Sequence, residues 1–184
     1  MSASRIVLLR HGQTDFNLAR RFQGRIDKPL NDAGRSQAAG AAGVLVSRLC
    51  EPSAEVGMIA AETHRSYDDG GVRIVCSPLG RARETARILA RVFDIAGYPC
   101  EGPMPDERLT ERFYGTFEGK TYEEIAREQP EAYRVYRDTG ECAGAEVERS
   151  EVVGERFRDA VLEAAAACPA DRSLIVVSHG SAIA

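Results

Sequence analysis

Three short apolar runs, set far apart along the chain, constrain the fold more than any other feature of the sequence. They occupy residues 6–9 (IVLL), 72–76 (VRIVC) and 174–177 (LIVV). A run that is apolar on both faces is typical of a strand buried inside a parallel sheet. Amphipathic helical patterns fill the intervals, at about residues 32–49, 79–96 and 150–168. Strands that alternate with helices in this way predict an α/β fold with three layers, α/β/α, around a mainly parallel sheet.

Local signals predict where several helices begin and end. Asn31 or Asp32 is placed to cap the first helix, and Gly97 is placed to end the second. Thr121 opens a capping box, with a glutamate three residues later, and Pro130 is a favourable first residue for another helix.

The size and composition of the chain limit the classes of protein to which it can belong. With 184 residues it is predicted to form a single domain, 1–184. A net charge of −4 excludes a globally basic nucleic-acid-binding surface, and no segment approaches the roughly 18 apolar residues of a membrane span. The five cysteines form no closely spaced pair, so neither a disulfide framework nor a CxxC metal site is expected. These features predict a soluble cytoplasmic protein that binds neither nucleic acid nor membrane.

Two of the three histidines share one sequence context. His11 and His179 each follow a predicted strand after one intervening residue and precede a glycine. The carboxyl ends of parallel strands form the ligand-binding edge of an open sheet, and a following glycine lets a ligand approach closely. A single histidine in such a place is as often a packing residue as a ligand, but two matching contexts favour a functional site.

Two arginines extend this predicted site. Arg81 lies in the first turn of the helix that follows the second strand, and Arg10 precedes His11. A helix N-terminus and an arginine fork both suit phosphate oxygens, although a lone arginine is more often a solvated surface residue. Together, Arg10 and Arg81 predict a phosphate clamp.

Other phosphate and metal chemistries fit the sequence poorly. A cysteine phosphatase needs five residues between its cysteine and arginine, whereas Cys76 and Arg81 are separated by four, so Cys76 is interpreted as a core residue. The sequence contains no GxxxxGK[ST], GxGxxG or HExxH motif. Neither a metal nor a cofactor is therefore predicted.

Five motifs, in order, resemble the histidine phosphatase superfamily in its phosphoglycerate mutase-like branch. They are RHGQT at 10–14 with Asn17, RFQG at 21–24 with PLNDAG at 29–34, SPLGRARETA at 77–86, LTERFYGTFEG at 109–119, and SHG at 178–180. The resemblance spans nearly the whole chain and implies a phosphoglycerate mutase-like fold.

The resemblance also implies roles for individual residues. His11 would be the phosphorylated nucleophile, and Glu111 the acid and base that protonates the leaving alcohol and then activates water. Arg10, Arg81 and His179 would surround the transferred phosphoryl group. Further substrate contacts would come from Asn17, Gln23 and Gly24. The implied partner is a small phosphorylated metabolite, and a homodimer is left open.

Three activities remain open at this stage. A phosphomonoester hydrolase acting through phosphohistidine is favoured over a cofactor-dependent phosphoglycerate mutase, because the chain is short and Arg134 and Arg137 are not a paired arginine motif. A non-catalytic phospho-ligand binder would usually lack His11 or Glu111. Specificity is expected to reside in a helical insertion at about 112–149 over the active site. Its basic residues either bind a second anion or form a solvated face: Arg112, Lys120, Arg134 and Arg137.

Some stretches depart from the family pattern. The Gly-Glu-Ser element that often precedes the penultimate helix is degraded at residues 144–150, and no long helix follows His179, so the C-terminus is a candidate truncation. The weakly patterned residues 51–71 are expected to form a surface excursion that contains His64. Tyr114 and Phe117 are expected to be packing residues.

Overall fold

A four-stranded, all-parallel sheet is the centre of the computed structural model, which describes residues 3–50, 70–141 and 146–184. The strands in chain order are β1 (Arg5–Arg10), β2 (Val72–Cys76), β3 (Cys100–Pro105) and β4 (Ser173–Ser178). They are arranged in the order β1-β4-β2-β3. The first and last strands of the chain are therefore neighbours, and their carboxyl ends meet at one edge of the sheet.

Seven helices and two short 3-10 turns surround the sheet in the described residues. The helices are α1 (Asp15–Leu18), α2 (Asp32–Cys50), α3 (Gly80–Ile95), α4 (Tyr122–Glu128), α5 (Pro130–Thr139), α6 (Ser150–Ala167) and α7 (Gly180–Ile183). The 3-10 turns span Glu107–Leu109 and Gly115–Phe117.

Both faces of the central strand β4 are covered. Ile175 and Val177 pack with residues of α2 and α3, whereas Leu174 and Val176 pack with residues of α6. All six residues of β4 are buried, as expected for a strand with a helix layer on each side. The predicted three-layer α/β/α architecture and parallel sheet are confirmed.

Several helix ends follow the predicted signals. Asn31 Oδ1 accepts a hydrogen bond from the Gly34 N–H at 2.9 Å, Thr121 forms its capping box, and Pro130 is the first residue of α5. Gly97 follows α3 with a φ of +72°, the left-handed conformation typical of a helix stop. Cys76 is buried against this helix layer, as predicted.

Two predictions about strands are wrong. β1 is an edge strand rather than a buried one, and its Ile6 and Leu8 side chains are 45% and 43% exposed. β3 was not predicted at all, because its sequence CEGPMP contains two prolines, which lack a backbone donor and are tolerated only at sheet edges. β3 is the other edge strand, so both errors concern the edges of the sheet.

Other sequence predictions are tested only in part by the described residues. The surface excursion predicted at 51–71, with His64, lies outside the described residues except at its last two positions. The residues after His179 form the single turn α7. No helix in the described ranges is long and apolar enough to cross a membrane. The single domain 1–184 with an insertion at 112–149 stays a prediction.

A second, smaller core holds α4 and α5 beside the sheet edge. Phe22, Tyr114, Phe117, Ile125 and Val147 form its buried part. Phe22 makes edge-to-face contacts with four aromatic rings, at centroid distances of 4.8 to 5.8 Å: Tyr114, Phe117, Tyr122 and Tyr136. We call Phe22 and these four aromatic residues the aromatic cluster.

Candidate active site

The two histidines that follow β1 and β4 lie in contact. The His11 N–H donates to the Ser178 carbonyl at 2.9 Å, which extends the strand pairing past the end of β1. The ring centroids of His11 and His179 are 5.0 Å apart, with the rings edge-to-face. His11 is 7% exposed and His179 is fully buried.

The His11 ring is held with one nitrogen available. Its Nδ1 lies 2.7 Å from the Gly12 carbonyl, which can only accept, so Nδ1 carries the proton and Nε2 is the bare atom. The Arg81 Nε–H donates to that Nε2 at 3.2 Å. Burial, reinforced by Arg81, lowers the pKa of His11 to about 3. His11 is therefore neutral at physiological pH, as a nucleophile must be.

Glycine is required next to this histidine. A Cβ atom on Gly12 would lie 2.3 Å from the Gly34 carbonyl oxygen at the start of α2. This close approach to Gly34 fixes the backbone of Gly12, whose carbonyl accepts the hydrogen bond from His11 Nδ1.

Arg81, the second residue of α3, is almost completely buried, and backbone carbonyls hold its guanidinium. Its Nη2 donates to the Gly24 carbonyl at 2.7 Å, and Nη1 donates to the Ile26 carbonyl at 3.0 Å. With its amide oriented to satisfy both neighbours, the Gln23 side-chain oxygen accepts from Arg81 at 2.8 Å. Burial lowers the pKa of Arg81 to about 10, which leaves it charged at neutral pH. Gln23 and Gly24 thus position Arg81.

His179 has a free nitrogen in the interior. Its Nε2 lies 2.7 Å from Ser77 Oγ, which itself accepts from the Leu79 N–H at 3.3 Å. We assign the ring proton of neutral His179 to Nδ1, the tautomer in which the Ser77 hydroxyl donates to Nε2. Burial lowers the pKa of His179 well below its usual value. Nδ1 has no hydrogen-bond partner among the described residues, and a buried N–H of this kind favours an incoming acceptor.

Glu111 lies two residues beyond the first 3-10 turn and is 8% exposed. Its Oε1 accepts from the Arg112 N–H at 2.8 Å, whereas Oε2 lies a long 3.5 Å from the Ser181 N–H. Burial raises the pKa of this carboxyl above its usual value, against the opposing effects of the Arg112 and Ser181 N–H groups and the two arginines Arg81 and Arg10. A raised pKa suits a proton donor that acts near neutral pH.

A clamp from α6, which sequence reasoning missed, holds the Glu111 backbone. Arg156 donates to the carbonyls of Arg108, Thr110 and Glu111 at 2.6 to 3.2 Å. The same guanidinium forms a two-pronged ion pair with Glu148, at 3.0 Å for each contact. Glu148 belongs to the stretch at 144–150 where the Gly-Glu-Ser element looked degraded. That stretch was the signal in the sequence from which a role for Glu148 could have been suspected.

One cavity of about 510 Å³ brings these residues together. Seven of the eight predicted site residues line it, and the eighth, His179, contacts the His11 ring. Asn17 lines the cavity, and its side-chain oxygen accepts from Thr14, the N-cap of α1, within a capping box. The other lining residues are Arg20, Arg21, Phe22, Tyr114, Tyr122, Tyr136, Gly180 and Ser181. No cluster of His, Cys, Asp or Glu in the described ranges could hold a metal ion.

Comparison with protein families shows to which family this chain belongs. The model of the histidine phosphatase superfamily (branch 1) matches residues 6–52 and 55–184. The chain belongs to the histidine phosphatase superfamily. The family suggested by the five motifs is therefore confirmed, and histidine phosphatases are enzymes of the type that the sequence predicted.

Two relatives, one a phosphatase and one a probable mutase, illustrate the relationship. The glucosyl-3-phosphoglycerate phosphatase of Mycobacterium tuberculosis (strain ATCC 25618 / H37Rv) is 32% identical over 191 residues, covering 100% of this chain and 74% of the relative. The probable phosphoglycerate mutase of Serratia proteamaculans (strain 568) is 31% identical over 180 residues, covering 97% of this chain and 70% of the relative.

A solved structure agrees with the fold. The mycobacterial glucosyl-3-phosphoglycerate phosphatase in complex with VO3 superposes with a TM-score of 0.74 at 33% identity, covering 98% of this chain and 78% of that chain. The phosphoglycerate mutase-like fold is confirmed, and phosphomonoesterase activity fits these relatives better than the alternatives.

Proposed function

We propose that this histidine phosphatase hydrolyses small phosphorylated metabolites through a phosphohistidine at His11. The observation that carries the proposal is the bare Nε2 of a neutral, buried His11, in a cavity that also contains Arg10, Arg81 and Glu111. A nucleophile, fixed cations and a carboxyl with a raised pKa are the components that phosphoryl transfer needs.

In the first step, His11 Nε2 attacks phosphorus. The N–P bond forms as the ester P–O bond breaks, and Glu111 gives its proton to the leaving alcohol oxygen. Arg10, Arg81 and the Nδ1–H of His179 stabilise the charge on the phosphoryl oxygens. The unpartnered Nδ1 supports this role for His179, because a phosphoryl oxygen supplies the missing acceptor.

In the second step, water attacks the phosphohistidine. The ionised Glu111 accepts a proton from that water, the N–P bond breaks, and inorganic phosphate leaves. His11 returns to its neutral form and Glu111 to its protonated form, so the cycle closes without a metal.

Hydrolysis is supported more strongly than phosphoryl return to a second alcohol. Arg134 and Arg137, the isolated arginines of the predicted insertion, are paired with Glu131 and Asp138 and do not line the cavity. A mutase would have to hold a phosphorylated acid at both ends through two productive orientations. The cytoplasmic location, the homodimer and the absence of nucleic-acid binding stay predictions from the sequence.

Phosphate release from p-nitrophenyl phosphate in excess EDTA tests the proposal. We expect turnover by the wild type, insensitivity to EDTA, and at least a roughly 10³-fold loss in His11→Asn. Arg134→Asn, on the exposed face of α5, is the matched control and should retain wild-type activity. Turnover that survives in His11→Asn, or that EDTA abolishes, would overturn the mechanism.

A further inference from the structure

The carboxyl group of Glu111 is carried by a segment without regular structure. Residues 110–114 lie between the two 3-10 turns, so neither a helix nor a strand ladder fixes their backbone. A proton donor must nevertheless be held close to the leaving oxygen, since a displacement of about 1 Å can cost roughly 10²-fold in rate. Contacts from other parts of the chain must therefore position Glu111.

Arg156 on α6 makes such contacts with every N–H of its guanidinium. Nη1 donates to the carbonyls of Arg108 and Thr110 at 2.7 and 2.6 Å, and Nη2 donates to the Glu111 carbonyl at 3.2 Å. The second N–H of Nη2 and that of Nε donate to the two carboxylate oxygens of Glu148, at 3.0 Å each. An arginine side chain has five N–H groups, and all five have a protein acceptor here. Arg156 therefore has no donor left for a substrate.

Glu148 joins this guanidinium to the backbone that follows Glu111. Its Oε2 also accepts from the Phe113 N–H at 3.0 Å, and its own N–H donates to the Phe113 carbonyl at 2.8 Å. The Glu148 carbonyl accepts from Arg112 Nε at 2.6 Å. Burial opposes ionisation of Glu148, but the hydrogen bonds from Arg156 and Phe113 outweigh it and hold the pKa of this carboxyl below its usual value. Both members of the pair are therefore charged at neutral pH.

The pair does not reach the reacting groups. Neither Arg156 nor Glu148 is among the described residues that line the cavity, and their side chains are only 17% and 15% exposed. Their opposite charges offset each other. The pair can therefore act on the reaction mainly through the backbone that it holds.

We propose that Arg156 and Glu148 are positioning residues for the general acid, and that they hold Glu111 in place for proton transfer to the leaving alcohol. The inference rests on the proposed phosphatase function, in which Glu111 protonates that alcohol. Lysine cannot replace Arg156, because an ammonium has three donors and lacks the planar fork that matches a carboxylate. Loosening the pair should therefore impair proton transfer and spare the attack of His11 on an ester with a good leaving group.

The test is the ratio of kcat/KM for glycerol 3-phosphate to kcat/KM for p-nitrophenyl phosphate. Only the first ester needs a proton on its leaving oxygen, so the ratio measures acid catalysis. Both values scale with the concentration of folded enzyme, so a loss of stability alone leaves the ratio unchanged. We expect Arg156→Lys to lower the ratio by roughly 10-fold, and Glu148→Gln, which keeps the side-chain shape, to lower it by at least about 3-fold. The matched control is Arg158→Lys on the same helix, where an exposed guanidinium pairs with Asp159, and it should leave the ratio unchanged.

A double variant shows whether Arg156 acts through Glu111. In a Glu111→Gln background, Arg156→Lys should change the ratio by less than about 2-fold, because the acid that it positions is already absent. An undiminished effect in that background would overturn the inference. It would instead favour a direct electrostatic effect on His179, whose pKa is lowered by burial and, more weakly, by the charge of Arg156.

The outcomes separate this inference from the proposed function. An unchanged ratio in Arg156→Lys or in Glu148→Gln, beside a lowered ratio in Glu111→Gln, would overturn the role of that residue while the phosphatase function stands. An unchanged ratio in Glu111→Gln itself would remove the general acid and this inference with it. Failure of His11-dependent hydrolysis of both esters would overturn the phosphatase function.

In that last case, amide hydrogen exchange still decides whether the pair positions the carboxyl group. The Arg112 N–H donates to Glu111 Oε1 at 2.8 Å, so its exchange rate reports whether that carboxyl stays in place. We expect exchange at least about 10-fold faster in Arg156→Lys than in the wild type, and a wild-type rate in Arg158→Lys. Equal rates in all three proteins would overturn the positioning role.

Discussion

The buried and exposed parts of the cavity are built differently. In the buried part, His11 and Arg81 each donate to backbone carbonyls, which fix the orientation of both side chains. In the exposed part, the Arg20 side chain forms no hydrogen bond with any described residue and interacts only electrostatically, with Glu123, and Tyr122 is half-exposed. The comparison teaches that the side chains proposed to carry the reaction are held at strand and helix ends, whereas Arg20 and Tyr122 stand exposed at the cavity wall.

After the loss expected for His11→Asn, the next largest effect is expected at Arg81, which we compare with Arg21, another arginine of the cavity. Arg81→Lys should lower kcat on p-nitrophenyl phosphate by about 10²- to 10³-fold, because one ammonium cannot reproduce the contacts to two carbonyls, Gln23 and His11. Arg21→Lys, which keeps a cation beside Glu124, should change kcat by less than about 3-fold. Steady-state kinetics on both variants checks this contrast. Similar losses of kcat in the two would contradict the distinction between a buried reacting part and an exposed part of the cavity.

Leaving-group dependence isolates the role of Glu111. Glu111→Gln should lower kcat/KM by about 10²-fold for glycerol 3-phosphate, whose alkoxide needs a proton. The loss for p-nitrophenyl phosphate should be clearly smaller, because p-nitrophenolate leaves without one. Equal losses on the two substrates would exclude Glu111 as the general acid.

The pH profile should be asymmetric. His11 must be neutral, and a pKa of about 3 means that kcat/KM has no His11-dependent acid limb above about pH 4. Glu111 must be protonated, so activity falls as pH rises through its raised pKa, and this alkaline limb should vanish in Glu111→Gln. After allowance for the substrate's own ionisation, near about pH 6, an acid limb at the ordinary histidine pKa would contradict the burial of His11.

The smallest effect concerns the orientation of His179. Ser77→Ala removes the hydroxyl that directs the ring proton to Nδ1, and should lower kcat by about 10-fold without unfolding the protein. Nitrogen-15 chemical shifts of the His179 ring should show Nδ1–H in the wild type and a mixture of tautomers in the variant. A wild-type ring protonated on Nε2 would contradict the proposed contact with a phosphoryl oxygen.

Much of the buried part could be predicted from the sequence, and the exposed part could not. The apolar runs and the adjoining histidines are local patterns, so the strand ends and the residues that follow them can be identified in the sequence. The edge position of β1 was missed because strand order depends on which elements pair, not on the run itself. The ion pair of Arg21 could not be predicted for a related reason: whether an arginine finds a carboxylate depends on residues about a hundred positions away, as Arg21 and Glu124 show.

Covalent trapping on Glu111→Gln tests the central claim most directly. With p-nitrophenyl phosphate, the phosphoryl group should transfer to the protein without an acid, while hydrolysis of the adduct lacks its base. After quenching at alkaline pH, mass spectrometry should find one phosphoryl group on His11, stable in base and lost in acid, and none in the His11→Asn variant. Turnover without any adduct, or an adduct on another residue, would contradict phosphohistidine catalysis at His11.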